Sequence, residues 1–239
     1  MRNAVSHLQK IVLAYDARIV ELREWLMPFA PRQWPGPRAP MVAHLRHRSS
    51  AWEMTLVGVH LKSGGSHESV DSPVGKARQL ECQTLADWLA RSLEKPTDEP
   101  PPPPTEAVVL LGDFNAVREH PSLRPLDALL PTWCWPAPVF SKGDGSVVEH
   151  EEHWTSWSSQ SVIDQVLTSR AATEKASGPP TVYCFDLDPS LDRAPTEAAL
   201  FLRRRTDLVV ALDADRPAVL VENLFRVSDH RPIVIGFDV

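Results

Sequence analysis

This 239-residue chain has few cysteines, no long apolar run and no excess of basic residues, and each of these features argues against a class of protein. Its three cysteines, at 82, 134 and 184, are far apart and odd in number, which argues against a disulfide scaffold or a CxxC zinc ribbon. No apolar run approaches the ~20 residues of a membrane span, and the run at 11–15 is shorter than a signal-peptide core. The formal net charge of -6 excludes a strongly basic nucleic-acid-binding protein. We therefore expect a cytoplasmic protein with reduced thiols.

The chain has the composition of a folded domain, with an unusual amount of proline. Its apolar fraction of 43% is ordinary for a globular protein, and its length suits one large domain, which we place at 1–239. There are 23 prolines. Those between 28 and 40 exclude a regular helix there, and the run at 100–104 predicts a stiff polyproline II segment within an insertion at 96–105.

Hydrophobic periodicity predicts more strands than helices. The clearest helix spans 76–94, with Ala77, Leu80 and Leu85 on its apolar face, and a short helix begins near Pro121. Residues 18–29 are ambiguous. Apolar runs predict strands at 11–15, 41–46, 52–60, 107–111, 161–168, 181–185 and 232–238, with further β-rich runs at 207–212 and 218–226. This order is not a regular βαβα alternation, so it favours an α+β fold or a sandwich of mixed sheets.

Polar side chains stand at the ends of four of these runs: His60, Asp113 with Asn115, Asp164, and Asp229 with His230. Taken singly, an aspartate after a strand is most often a turn residue, and a histidine is most often an ordinary core or surface group. Four such clusters in one chain favour a site, because each supplies a different part of one reaction. An amide suits a phosphoryl oxygen, an imidazole can take a proton from water, and carboxylates can orient that imidazole or bind a metal through oxygen.

The motifs HLKSG, GDFNA, IDQVL and SDHRPI, in this order, resemble the endonuclease/exonuclease/phosphatase superfamily. The resemblance extends from about residue 11 to residue 239, with gaps at the proline insertion and at a variable insertion at 171–227. It implies an α/β fold: a four-layer sandwich of two packed mixed β-sheets flanked by helices. It also implies Mg²⁺-dependent hydrolysis of a phosphate ester by water, with Mn²⁺ as a possible substitute.

The same resemblance implies a role for each matched residue. His230 matches the general base and Asp164 the carboxylate that orients it. Asp113 and Asn115 match the residues that position the nucleophile, the leaving group and the phosphate, and His60 matches a histidine that contacts the scissile phosphate or assists the leaving group. Asp229 and Asp113 are also the candidate metal ligands. Lys62, together with Asn115, is a candidate substrate-binding residue.

One part of the family pattern has no counterpart upstream of His60. The pattern opens with a strand that ends in Asn and a second strand that ends in a metal-binding Glu. Asn3 follows no predicted strand, and Glu21 and Glu24 lie in the ambiguous segment. We therefore expect a chain truncated at its N-terminus, which would leave a sheet edge uncovered and the metal site without its usual glutamate.

Three further readings stay open at the level of sequence. A chain with an incomplete site can act as a binding or scaffolding protein instead of an enzyme. The EHEEHW segment at 149–154, with His150 and His153 three residues apart, is a weaker candidate for a transition-metal site, that is, a zinc hydrolase. The substrate can be nucleic acid or a phosphorylated lipid, and the acidic composition argues mildly against long duplex DNA.

Overall fold

The computed structural model of the protein describes about three fifths of the chain. The residues described are 11, 13, 15–26, 28–29, 32–64, 68–91, 105–130, 132–141, 155–156, 161–183 and 233–239. The proline run, the EHEEHW segment, both β-rich runs between 207 and 226, and the SDH residues therefore lie outside the described part. No helix within the described part is long and apolar enough to cross a membrane.

A six-stranded mixed sheet forms the centre of the fold. Its strands, in spatial order, are β1 (Val20–Leu26), β2 (Met41–His47), β3 (Glu53–His60), β4 (Val108–Asp113), β7 (Asp164–Ser169) and β5 (Trp133–Cys134). Among the described strands of this sheet, β3 and β4 are the one parallel pair, and the other neighbours are antiparallel. The ambiguous segment 18–29 therefore contains an edge strand, whereas 11, 13 and 15 are outside any strand, contrary to the prediction for 11–15.

Both faces of this sheet are covered, as the continuous apolar runs of β3 and β4 predict. Val108 and Leu110 face a core that also holds the apolar residues of a long helix, α1 (Pro73–Arg91), and of a 3₁₀ helix at Pro121–Leu129. Val109 alternates to the opposite face and packs in a second core with Ile233. This second core lies against a three-stranded mixed sheet of β6 (Val139–Ser141), β8 (Thr181–Tyr183) and β9 (Ile233–Val234). The predicted α/β class with two packed mixed sheets is confirmed.

Helix α1 connects β3 to β4 and differs in one respect from its prediction. Ser72 caps it, because the Ser72 hydroxyl accepts from the Gly75 N–H at 3.0 Å, and Pro73 occupies its first turn. Leu80, which the periodicity places on the apolar face, is 55% exposed. Arg78 and Glu81 are fully buried instead. The buried face of the helix therefore includes positions 78 and 81 and excludes position 80, so that it carries charged side chains in its first half. A short helix, α2 (Arg170–Thr173), follows β7.

Candidate functional site

Three neighbouring strands bring His60, Asp113 and Asp164 to one edge of the central sheet. The parallel register pairs His60 at the end of β3 with Asp113 at the end of β4. The antiparallel register pairs Asp113 with Asp164 at the start of β7. Paired residues of adjacent strands share a face, so all three stand on the side that carries the second sheet. The sequence predicts this cluster, and the structure assembles it.

The Asp113 carboxylate joins His60 to Asn115. Its Oδ2 atom lies 3.3 Å from His60 Nε2 and accepts from Asn115 Nδ2 at 3.0 Å. Its Oδ1 atom accepts from the Asn115 backbone N–H at 2.7 Å, which closes a turn that holds Asn115 in the left-handed region at φ 53°. The Asn115 side chain also donates to the Leu61 carbonyl at 3.1 Å, so the ends of β3 and β4 are bonded to each other through a site residue.

Gly112 is needed for this close approach. Its φ of 137° favours glycine, and a Cβ built on it would lie 2.1 Å from the Val59 carbonyl oxygen. The glycine of the GDFN motif therefore has a steric reason: β4 lies against β3 one residue before the site begins.

Thr155 holds the start of β7, and no feature of the sequence marks it. Its buried hydroxyl oxygen accepts from the backbone N–H groups of Ile163 and Asp164, both at 3.0 Å. An isolated bridge between Ser156 and Ser161 closes the same loop. The backbone at the start of β7, which carries Asp164, is therefore held in place by the Thr155 hydroxyl.

We expect Thr155→Val to lower the free energy of unfolding by about 2 kcal/mol, because it leaves two backbone N–H groups without their acceptor. Thr155→Ser keeps the oxygen and is expected to lose less than about 1 kcal/mol, chiefly for the missing methyl group. Urea denaturation of both variants measures the difference. Equal losses in the two variants would show that the hydroxyl oxygen is not what holds the loop.

Helix α1 contributes two buried ionisable groups that the apolar periodicity did not single out. Burial raises the pKa of Glu81 to about 7, and this effect is opposed by the hydrogen bond from the Lys62 N–H and by the nearby Arg38 and Arg78. Burial likewise lowers the pKa of Arg78. Arg78 is buried, whereas its neighbour Gln79 is exposed. The signal that identifies Glu81 is its spacing, since 78, 81, 82 and 85 share one helix face.

The donors for a metal ion are only partly within the described residues. Asp113, Asp164 and Asn115 bring carboxylate and amide oxygens to one edge, and these are the ligand types that Mg²⁺ prefers. No group of three or more His, Cys, Asp or Glu side chains is arranged to hold a metal in the described ranges. Asp229, His230, His150 and His153 lie outside them, so their assigned roles stay predictions.

No protein-family model matches the chain, and no curated protein matches it significantly in sequence. Solved structures do resemble it. An endonuclease/exonuclease/phosphatase family protein of Bacteroides thetaiotaomicron is 18% identical, with a TM-score of 0.39 over 65% of this chain and 53% of that chain. A mannosyl-6-phosphatase of the same organism is 14% identical, with a TM-score of 0.48 over 94% and 69%. Staphylococcus aureus beta toxin with bound magnesium ions is 13% identical, with a TM-score of 0.35 over 61% and 47%. The chain thus spans about half the length of two of these, and the first belongs to the family that the motifs resemble.

Proposed function

We propose that this protein hydrolyses a phosphate ester, and that the edge formed by β3, β4 and β7 is its active site. The observation that carries the proposal is the Asp113 carboxylate bonded to both His60 and Asn115, with Asp164 opposite it in register. Phosphoryl transfer needs charge neutralisation and positioning more than covalent chemistry, and this set of groups supplies both. The substrate class we propose is a phosphodiester, in nucleic acid or in a phosphorylated lipid.

The contacts of each residue suggest its part in the reaction. His60 lies beside the Asp113 carboxylate, and an N–H of its ring can donate to a phosphoryl oxygen or to the departing oxygen. Asn115 presents an amide whose N–H₂ group is held by Asp113 and the Leu61 carbonyl, which fixes the orientation of its oxygen. Lys62 follows directly on the same strand end and can neutralise a phosphate charge. We assign water activation to His230, oriented by Asp164.

The metal we propose is Mg²⁺, with Mn²⁺ as a substitute. Asp113 and Asp229 would hold it, and when bound it would neutralise the charge of the phosphate oxygens.

The proposal is tested by hydrolysis of a chromogenic bis-aryl phosphodiester with Mg²⁺, with Mn²⁺ and with a chelator. We expect metal-dependent turnover in the unaltered protein and a loss of about 100-fold in kcat for Asp113→Asn, the magnitude of removing one preorganised polar group. Asp87→Asn, on the exposed face of α1, is the matched control and should leave kcat unchanged. Turnover that survives both Asp113→Asn and the chelator would contradict the proposal, as would binding of the diester without hydrolysis.

A further inference from the structure

The backbone at the end of β3 is held by charged side chains from two distant parts of the sequence. Arg38 donates from Nε to the His60 carbonyl at 3.0 Å and from Nη2 to the Leu61 carbonyl at 2.8 Å. Arg78 donates from Nε to the Lys62 carbonyl at 3.1 Å, and Glu81 Oε2 accepts from the Lys62 N–H at 2.6 Å. Three consecutive residues are thereby fixed by four charge-assisted hydrogen bonds, which are stronger than neutral ones.

Two of these three residues carry candidate site side chains, His60 at the end of β3 and Lys62 just beyond it, and the core residue Leu61 lies between them. The Leu61 N–H donates to the Asp113 carbonyl at 2.9 Å. The Leu61 carbonyl accepts from Asn115 as well as from Arg38. The charged groups therefore act on the same peptide units that connect His60 to the Asp113–Asn115 turn.

The segment that carries Arg38 is built to hold it in place. Pro35, Pro37 and Pro40 restrict the backbone around it. Gly36 lies so close to α1 that a Cβ there would be 1.6 Å from Glu81 Oε1. The proline-rich stretch is thus packed against the helix that supplies the other two charged groups.

We propose that Arg38, Arg78 and Glu81 are positioning residues for the hydrolysis proposed above, on which this inference rests. They set the position of His60 and Lys62 through hydrogen bonds to the backbone at the end of β3. They do not touch the substrate. Burying the Arg78 guanidinium and the Glu81 carboxylate is costly unless hydrogen bonds compensate, and Arg78 Nε and Glu81 Oε2 both bond to the Lys62 peptide groups beside the site.

Arg38 is the position to test, because it is only half-buried and its replacement should leave the core intact. We expect Arg38→Met to lower kcat about tenfold with the bis-aryl phosphodiester and Mg²⁺, the size of a modest misplacement of one reacting group. Arg48→Met is the matched control, since Arg48 also donates to a backbone carbonyl, that of Ala17, but at the opposite end of the sheet. It should leave kcat within twofold.

A double-mutant cycle separates positioning from general support of the fold. If Arg38 acts through His60, Arg38→Met should lower kcat less than about threefold in a His60→Ala background. Equal losses in both backgrounds, or no loss in either, would overturn the inference. Glu81→Gln is the second variant, expected to lower kcat about fivefold without lowering the melting temperature, because a neutral amide accepts more weakly than a carboxylate.

Amide hydrogen exchange without substrate keeps this inference separate from the proposed function. We expect exchange at Leu61 and Lys62 to accelerate about tenfold in Arg38→Met and not in Arg48→Met, because the local opening of the strand end becomes easier. If the unaltered protein hydrolyses no diester, the proposed function fails while this measurement still decides whether the charged groups fix the strand end. Unchanged exchange in Arg38→Met would overturn the inference.

Discussion

Replacing Gly112 by alanine is expected to lower the free energy of unfolding by about 4 kcal/mol and to abolish any activity of the site. The new Cβ would lie 2.1 Å from the Val59 carbonyl oxygen, and backbone on both strands would have to separate to relieve the clash. The φ of 137° adds strain of roughly 1–3 kcal/mol for a residue with a side chain. Losses above about 4 kcal/mol are exceptional for one methyl group and indicate backbone displacement.

Gly178→Ala is the matched control for this prediction. A Cβ at Gly178 meets nothing within 4 Å, so alanine there should be neutral or stabilising by up to about 1 kcal/mol. Chemical denaturation of both variants, followed by tryptophan fluorescence, gives the comparison. A Gly112→Ala protein as stable as Gly178→Ala would mean that β3 and β4 do not approach as described.

Glu81→Gln is expected to stabilise the protein above pH 7 and to have little effect near pH 5. Burial raises the pKa of Glu81 from 4.5 to about 7, so the folded protein holds this proton more tightly than the unfolded chain does. The stability that protonation contributes is present below about pH 4.5 and is lost as the pH rises through about 7. A rise in pKa of that size corresponds to about 3 kcal/mol of folding stability. Glutamine is neutral at every pH, so the Glu81→Gln protein does not lose this stability as the pH rises.

The measurement is the unfolding free energy of both proteins at several pH values from 5 to 8. Glu174→Gln is the control, because Glu174 is exposed on the surface and its replacement should not change the pH dependence. A difference in unfolding free energy between Glu81→Gln and the parent protein that stays constant from pH 5 to 8 would contradict the prediction. A gain in stability at pH 8 together with reduced turnover would show that the buried carboxylate is kept at the expense of stability.

The sequence predicts the parts of this protein that depend on local patterns. Continuous apolar runs identify β3 and β4 as inner strands, and the abrupt change to His60 and Asp113 at their ends marks the candidate site. Gly112 is visible in the sequence only as a member of GDFN, and the reason for it needs the register of two strands. Local pattern suffices where burial alone decides the residue type.

The burial of Arg78 and Glu81 could not be predicted from apolar periodicity. Periodicity places Leu80 in the core and leaves Glu81 in solvent, whereas the structure has them reversed. The Glu81 carboxylate and the Arg78 guanidinium can be buried because they bond to the backbone N–H and carbonyl of Lys62, beyond the end of β3. Lys62 is 16 and 19 residues away in the sequence, so the pattern of the helix alone does not show this pairing. Thr155 is hidden from the sequence for the same reason, since its partners are backbone amides several residues away.

The crossover from β3 through α1 to β4 also has a consequence for the order of events during folding. Leu61 and Asn115, which are bonded to each other, are 54 residues apart. During synthesis at roughly 5–20 residues per second, the first half of the site therefore emerges several seconds before the second. Parallel pairing of this kind forms late, because the intervening loop must close before any contact compensates for its entropy. A nascent or partly folded chain thus has no assembled candidate site, and the activity proposed for it should appear only after β3 and β4 have paired.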